Sequence, residues 1–149
     1  MIHPRGHACL ADPGLVTTIP DQPDIVRSSR KGGSTEWTSP ELLDPEPSSS
    51  EEGPTKASDC YALGMVVYEV LSGRTPFAPD KDPIIIEKVL KGEHPVRPEG
   101  ELFTDGIWKL LEDCWMFKPR KRLSANKILL RLTPQNLSMF SPFCFTGCV

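Results

Sequence analysis

At 149 residues, 38% of them hydrophobic and 25% charged, the chain has the size and composition of one globular domain with a core of its own. A formal net charge of −3 and a pI near 5.6 exclude a global field that draws the protein to nucleic acid or anionic lipid. The longest apolar stretch, Tyr61 to Leu71, is far short of the roughly 20 residues of a bilayer span. The polar opening MIHPRGH also lacks the apolar core of a secretory signal, so a soluble, cytoplasmic protein is expected.

Residues 1 to 12 read as a short hairpin around a Pro-Arg-Gly turn, ending at Asp12. From Pro13 to Pro54 the chain is dense in Pro, Ser, Thr, Gly and Asp with no sustained period. A loop this long inside a domain is usually functional or disordered. Ser58 and Asp59 then precede CYALGMVVYEVLSG, a run apolar almost all round. They predict a capped helix buried on most sides and stopped by Gly73. Asp82-Pro83 opens IIIEKVLKG, which ends at Gly92. Thr104-Asp105 caps GIWKLLEDCWMF, where Ile107, Leu110, Leu111, Cys114 and Trp115 recur at helical spacing and Trp108 belongs to the same pattern. After the basic break KPRKR, Ser124 caps ANKILLRL. From Thr133 to Val149 no period is clear. The expectation is a small hairpin, a long loop and four helices.

Five cysteines without a secretory signal are expected to be reduced thiols rather than a disulfide framework. Cys60 and Cys114 fall in apolar periodic runs and read as core. Cys144 and Cys148, in the tail FCFTGCV, lack the further ligands a metal site needs, and the tail is not a prenylation signal. His3, His7 and Cys9 do not converge on a metal.

Four ordered blocks resemble one family, the eukaryotic protein kinases, and within it the Ser/Thr kinases whose sequences look like tyrosine kinases. HACLADPGLV is similar to the strand and Asp-Phe-Gly triplet that begin the activation segment. GGSTEWTSPELL resembles that segment's end, with Ser39-Pro40-Glu41 for Ala-Pro-Glu. ASDCYALGMVVYEVLSGRTPF and CWMFKPRKRLSA resemble the helical core that follows. The resemblance implies a mostly α, partial kinase C-terminal lobe of an α+β family. Its parts are a hairpin at 1–12, the activation segment and following loop at 13–54, helices at 58–132, and a separate tail at 133–149.

The same resemblance assigns roles. Asp12 matches the aspartate that binds the magnesium bridging the nucleotide phosphates, although Pro13 stands where the family has phenylalanine and restricts the backbone of Asp12. Glu41 and Arg122 match a glutamate and arginine that pair in the family, Asp59 the helix-start aspartate that bonds the catalytic loop, and Trp115 the tryptophan before the last basic loop. Ser34, where tyrosine kinases usually carry proline, tilts the substrate class towards protein Ser/Thr. Ser34, Thr35 and Trp37 are the expected substrate-facing residues. Thr17, Ser28 and Ser29 are candidate phosphosites in the loop.

The glycine-rich phosphate cover, the strand lysine with its helix glutamate and the His-Arg-Asp loop of the family mechanism are not in these 149 residues. No catalytic residue is therefore assigned. The chain alone is expected to be inactive and to bind neither ATP nor magnesium, though the family uses both. Two readings follow, with a protein substrate or a partner protein as the ligand. The first is part of a Ser/Thr kinase whose activity belongs to a longer product. The second is a non-catalytic, kinase-derived interaction module, because the apolar helix at 59–72 would present a partly bare face.

Overall fold

The structure, a computed structural model, describes residues 35–44 and 53–133, all within one compact unit of the chain. The expected hairpin, residues 13–34 and 45–52 of the long loop, and the tail from residue 134 lie outside the described residues. Among those described, the secondary structure is helical throughout.

A 3-10 turn, Thr35–Trp37, leads into α1, Pro40–Leu43. Pro40 fits the first helical position because its fixed φ suits the helix and its missing N–H is not needed there. The turn closes through Thr38 N–H to the Thr35 carbonyl at 3.1 Å, and α1 through Asp44 N–H to Pro40 at 3.0 Å. Four residues make barely more than one turn, too few for a period to repeat, which is why this additional helix has no signature in the hydrophobic pattern.

α2 spans Lys56–Ser72. It begins before the expected start, because Thr55 is the cap. The Ser58 N–H donates to Thr55 Oγ1 at 3.1 Å, and the Thr55 N–H donates to Ser58 Oγ at 2.8 Å. This reciprocal pair satisfies two donors at once and leaves Asp59 inside the first turn. Gly73 ends the helix at φ +67°, the left-handed conformation that glycine adopts without a Cβ clash.

α3 covers Asp82–Leu90, α4 Asp105–Cys114 and α5 Ala125–Leu132, the last preceded by a 3-10 turn at Pro119–Lys121. Lys81, rather than Asp82, takes the cap position of α3. Asp82 sits in the first turn, where a carboxylate favours the positive end of the helix dipole. Thr104 Oγ1 accepts from Ile107 N–H at 3.3 Å and so caps α4.

α2 and α4 pack against each other, and Tyr61 and Met65 of one share a core cluster with Leu111 and Cys114 of the other, to which α3 adds Ile85 and Val89 and α5 adds Ile128. Trp115, 0% exposed, forms its centre. Trp108 lies edge-on at 5.7 Å between ring centroids and Tyr68 edge-on at 6.1 Å, while His94 is tilted against it at 5.4 Å. Burial, with smaller effects of Cys60 and Asp113, pushes the Cys114 thiol up to about 12. It stays protonated and acts as a small apolar residue.

α2 is buried or half-buried round most of its surface and bare along one stripe. Leu63, Val66 and Val70 are exposed, Val70 at 75%, and their spacing puts them along one face. The opposite face comes so close to α4 that Gly64 has no room for a side chain. A Cβ there would lie 2.7 Å from Trp115 Nε1 and 2.9 Å from Cys114 Cβ. An alanine in mid-helix normally stabilises by roughly 0.5–1 kcal/mol over glycine. Here Gly64→Ala should instead destabilise by about 1–3 kcal/mol in urea denaturation, the usual cost of overpacking. A gain in stability would mean that α2 and α4 are not in this close contact.

Candidate functional site

The 35–44 segment is held to the helical body at two points. Trp37 Nε1–H donates to Glu69 Oε2 of α2 at 3.1 Å. Glu41, on α1, meets Arg122, 81 residues away in sequence.

Arg122 sits where the chain leaves the Pro119–Lys121 turn in an extended conformation, so its side chain enters the body instead of following α5. Its N–H groups donate to Glu41 Oε1 at 2.7 Å and Oε2 at 2.6 Å, to the carbonyl of Ala57 at 3.0 Å, and to those of Met116 at 2.8 Å and Phe117 at 3.2 Å. A guanidinium has five N–H donors, and every one is used. The fork on Glu41 is bidentate, which only arginine among the cations can form. Beneath the guanidinium lies the ring of Tyr61, 5.1 Å from Arg122 Cζ to the ring centroid, adding a cation–π contact.

The Arg122 side chain is 0% exposed and that of Glu41 20%. Burial acts first on Glu41 and would raise its pKa, but the hydrogen bonds and charge of Arg122 outweigh it and hold the carboxyl below its ordinary 4.5. Burial likewise pushes the Tyr61 hydroxyl far above its usual value, against the opposing charge of Arg122.

Of the residues singled out in the sequence, Thr35 opens the 3-10 turn, and Trp37, Glu41 and Arg122 form the two ties just described. Trp115 lies in the core apart from them. Asp59 is exposed and accepts no hydrogen bond or ion pair from another described residue. Asp12, Ser34, Thr17, Ser28 and Ser29 lie outside the described residues. Sequence reasoning missed Tyr61, the Ala57 carbonyl and Glu69. Glu69 did carry a signal, since it is the lone carboxylate in the apolar run of α2. The Ala57 carbonyl carried none, because every residue has one. Among the described residues no group of three or more His, Cys, Asp or Glu side chains is arranged to hold a metal.

The low pKa of Glu41 fixes a pH dependence. A carboxyl whose folded pKa is depressed contributes stability that is complete above the unfolded value, here 4.5, and is lost as pH falls through the folded value. Arg122→Met should therefore cost about 3 kcal/mol at pH 7, the scale of breaking one side of a buried pair. The gap from the parent should narrow as pH falls below 4.5 and Glu41 protonates in both proteins. A gap that is constant from about pH 7 to pH 3 would show that the arginine is not stabilised by the carboxylate.

Comparison with known proteins places the sequence in a family. A family model described as protein tyrosine and serine/threonine kinase matches residues 1–132. Serine/threonine-protein kinase 12 of Arabidopsis thaliana is 32% identical over 131 residues, covering 85% of this chain and 26% of the relative. Serine/threonine-protein kinase PkaB of Streptomyces coelicolor is 32% identical over 84% of this chain and 28% of its own length. Receptor-interacting serine/threonine-protein kinase 3 of the rat is 32% identical over 83% and 27%. The chain thus spans between a quarter and a third of the length of these curated relatives. With the family model matched over most of its length, the chain belongs to the protein tyrosine and serine/threonine kinase family.

Proposed function

We propose that this chain is the part of a Ser/Thr protein kinase that fixes the end of the activation segment, with phosphoryl transfer to protein Ser/Thr belonging to a longer product. The observation that carries this reading is Arg122, whose five donors join α1, the first turn of α2 and the chain after α4. A segment presenting a protein substrate must keep its shape while the substrate comes and goes, and positioning of this kind supplies much of the rate in phosphoryl transfer. Serine at position 34 and the names of the relatives support the Ser/Thr class.

In this reading the Thr35–Trp37 turn and Ser34 face the substrate, Glu41 and Arg122 hold them in register, and Asp59 bonds the backbone of a catalytic loop. The family's chemistry uses ATP and magnesium, and Asp12 is the residue of this chain that would meet the metal. The described residues add no ligand set to it, and no step is assigned to it. Thr17, Ser28 and Ser29 would be phosphorylated to alter the order of the loop.

A second reading, a non-catalytic interaction module, draws on the bare apolar face of Leu63, Val66 and Val70, since a stripe of this kind marks a surface that another element covers. The transcript upstream of Met1 separates the two. An in-frame glycine-rich loop and His-Arg-Asp segment support the kinase, and their absence supports the module. For the purified 149-residue chain, no magnesium-dependent ATP turnover above background is expected. Turnover that Asp12→Ala abolishes would overturn the division of labour proposed here.

A further inference from the structure

A groove of about 590 Å³ runs between the C-terminal end of α2, the turn at residues 74–80 and the loop at residues 94–99. We propose that it docks a short peptide bearing one acidic residue next to an apolar one. Its volume lies within the roughly 300–1,000 Å³ of ligand sites. It is bounded by surface loops on two sides, a shape suited to an extended chain.

The walls of the groove are tied to the helical body. Tyr68 Oη–H donates to the Val96 carbonyl at 3.2 Å. His94 packs tilted against Trp115, and its Nε2 is 3.1 Å from the Trp115 carbonyl. Arg97 donates to the Phe103 carbonyl and pairs with Asp105 at 2.8 Å. A preformed groove spares the peptide the ordering cost that a mobile loop would add. Phe77 and Pro95 are buried at its base among polar side chains, while Val96 stands 84% exposed on the rim. An apolar side chain of a ligand would cover it.

The charges choose the peptide. On a chain whose net charge is −3, the groove is lined by Arg74, Lys88 and Arg97 against Asp80 and Glu99. Lys88 is taken by Asp80 at 2.5 Å and Arg97 by Asp105. Arg74 is exposed and has no acidic partner among the described residues, so it is the cation left to accept a carboxylate. Glu99, likewise without a cation among the described residues, would repel a polyacidic run. The pattern therefore selects a single acidic residue beside an apolar one.

The test uses the full 149-residue chain, labelled with nitrogen-15, and an eight-residue Ser/Gly peptide carrying one Asp-Leu pair, compared with the same peptide carrying Lys-Leu. The Asp-Leu peptide should cause saturable shifts at the Arg74, Val96 and Glu99 amides. Arg74→Glu should weaken its binding at least about tenfold, equal to about 1.4 kcal/mol, while resonances of α4 stay unchanged. Equal binding of the Lys-Leu peptide, indifference to Arg74→Glu, shifts centred on Leu63 and Val66, or no saturable shift at millimolar peptide would each overturn the proposal.

Discussion

The bidentate pair between Arg122 and Glu41 is the constraint on which the described structure depends. α1 is four residues long, too short to be a stable helix in water. It keeps its shape because the far end of the chain holds it. The cost of removing a guanidinium from water is several kcal/mol, and it is offset here because no donor is left without an acceptor. Two of those acceptors, the carbonyls of Met116 and Phe117, follow α4 and have no helical turn of their own to bond. Arg122 therefore satisfies the chain after α4 and secures α1 with one side chain.

Beneath that junction, the core sets how close the helices can come. Gly64 lets the backbone of α2 touch Trp115 and Cys114, and the same approach leaves the buried Trp115 Nε1–H without an acceptor among the described residues. An unpaired buried donor costs about 1–3 kcal/mol. The burial of the tryptophan ring and its three edge and tilted aromatic contacts favour the arrangement despite that loss. Tyr61 links core and junction, being part of the α2–α4 packing and also the ring under Arg122. The ion pair Arg131–Asp113 joins α5 to α4 and Lys109–Asp113 lies within α4, but pairs at the surface contribute little.

The fold was legible where a local pattern and a local cause coincide. The period of Ile107, Leu110, Leu111 and Cys114 reports the buried face of α4, Thr104 its cap, and Gly73 the end of α2. The start of α2 was not legible, because Thr55, Ser58 and Asp59 are all good capping residues and only the backbone angles show which one is the cap. Nor could an apolar run reveal which of its faces stays bare, since Leu63, Val66 and Val70 read no differently from Met65. For the site, Glu41 and Arg122 could be set side by side only through the family resemblance. Nothing in their neighbourhoods signals a contact across 81 residues. The roles of the Ala57 carbonyl and the Tyr61 ring exist only once the chain has folded.

Hydrogen exchange read amide by amide separates an arginine that fastens α1 from one that merely adds to global stability. In the parent chain the Leu43 and Asp44 amides, bonded to Ser39 and Pro40, should be protected. Arg122→Met should strip that protection while the amides of Met65 and Tyr68 in α2 lose much less. An equal loss at all four positions, or none at Leu43 and Asp44, would contradict the dependence of the segment on Arg122.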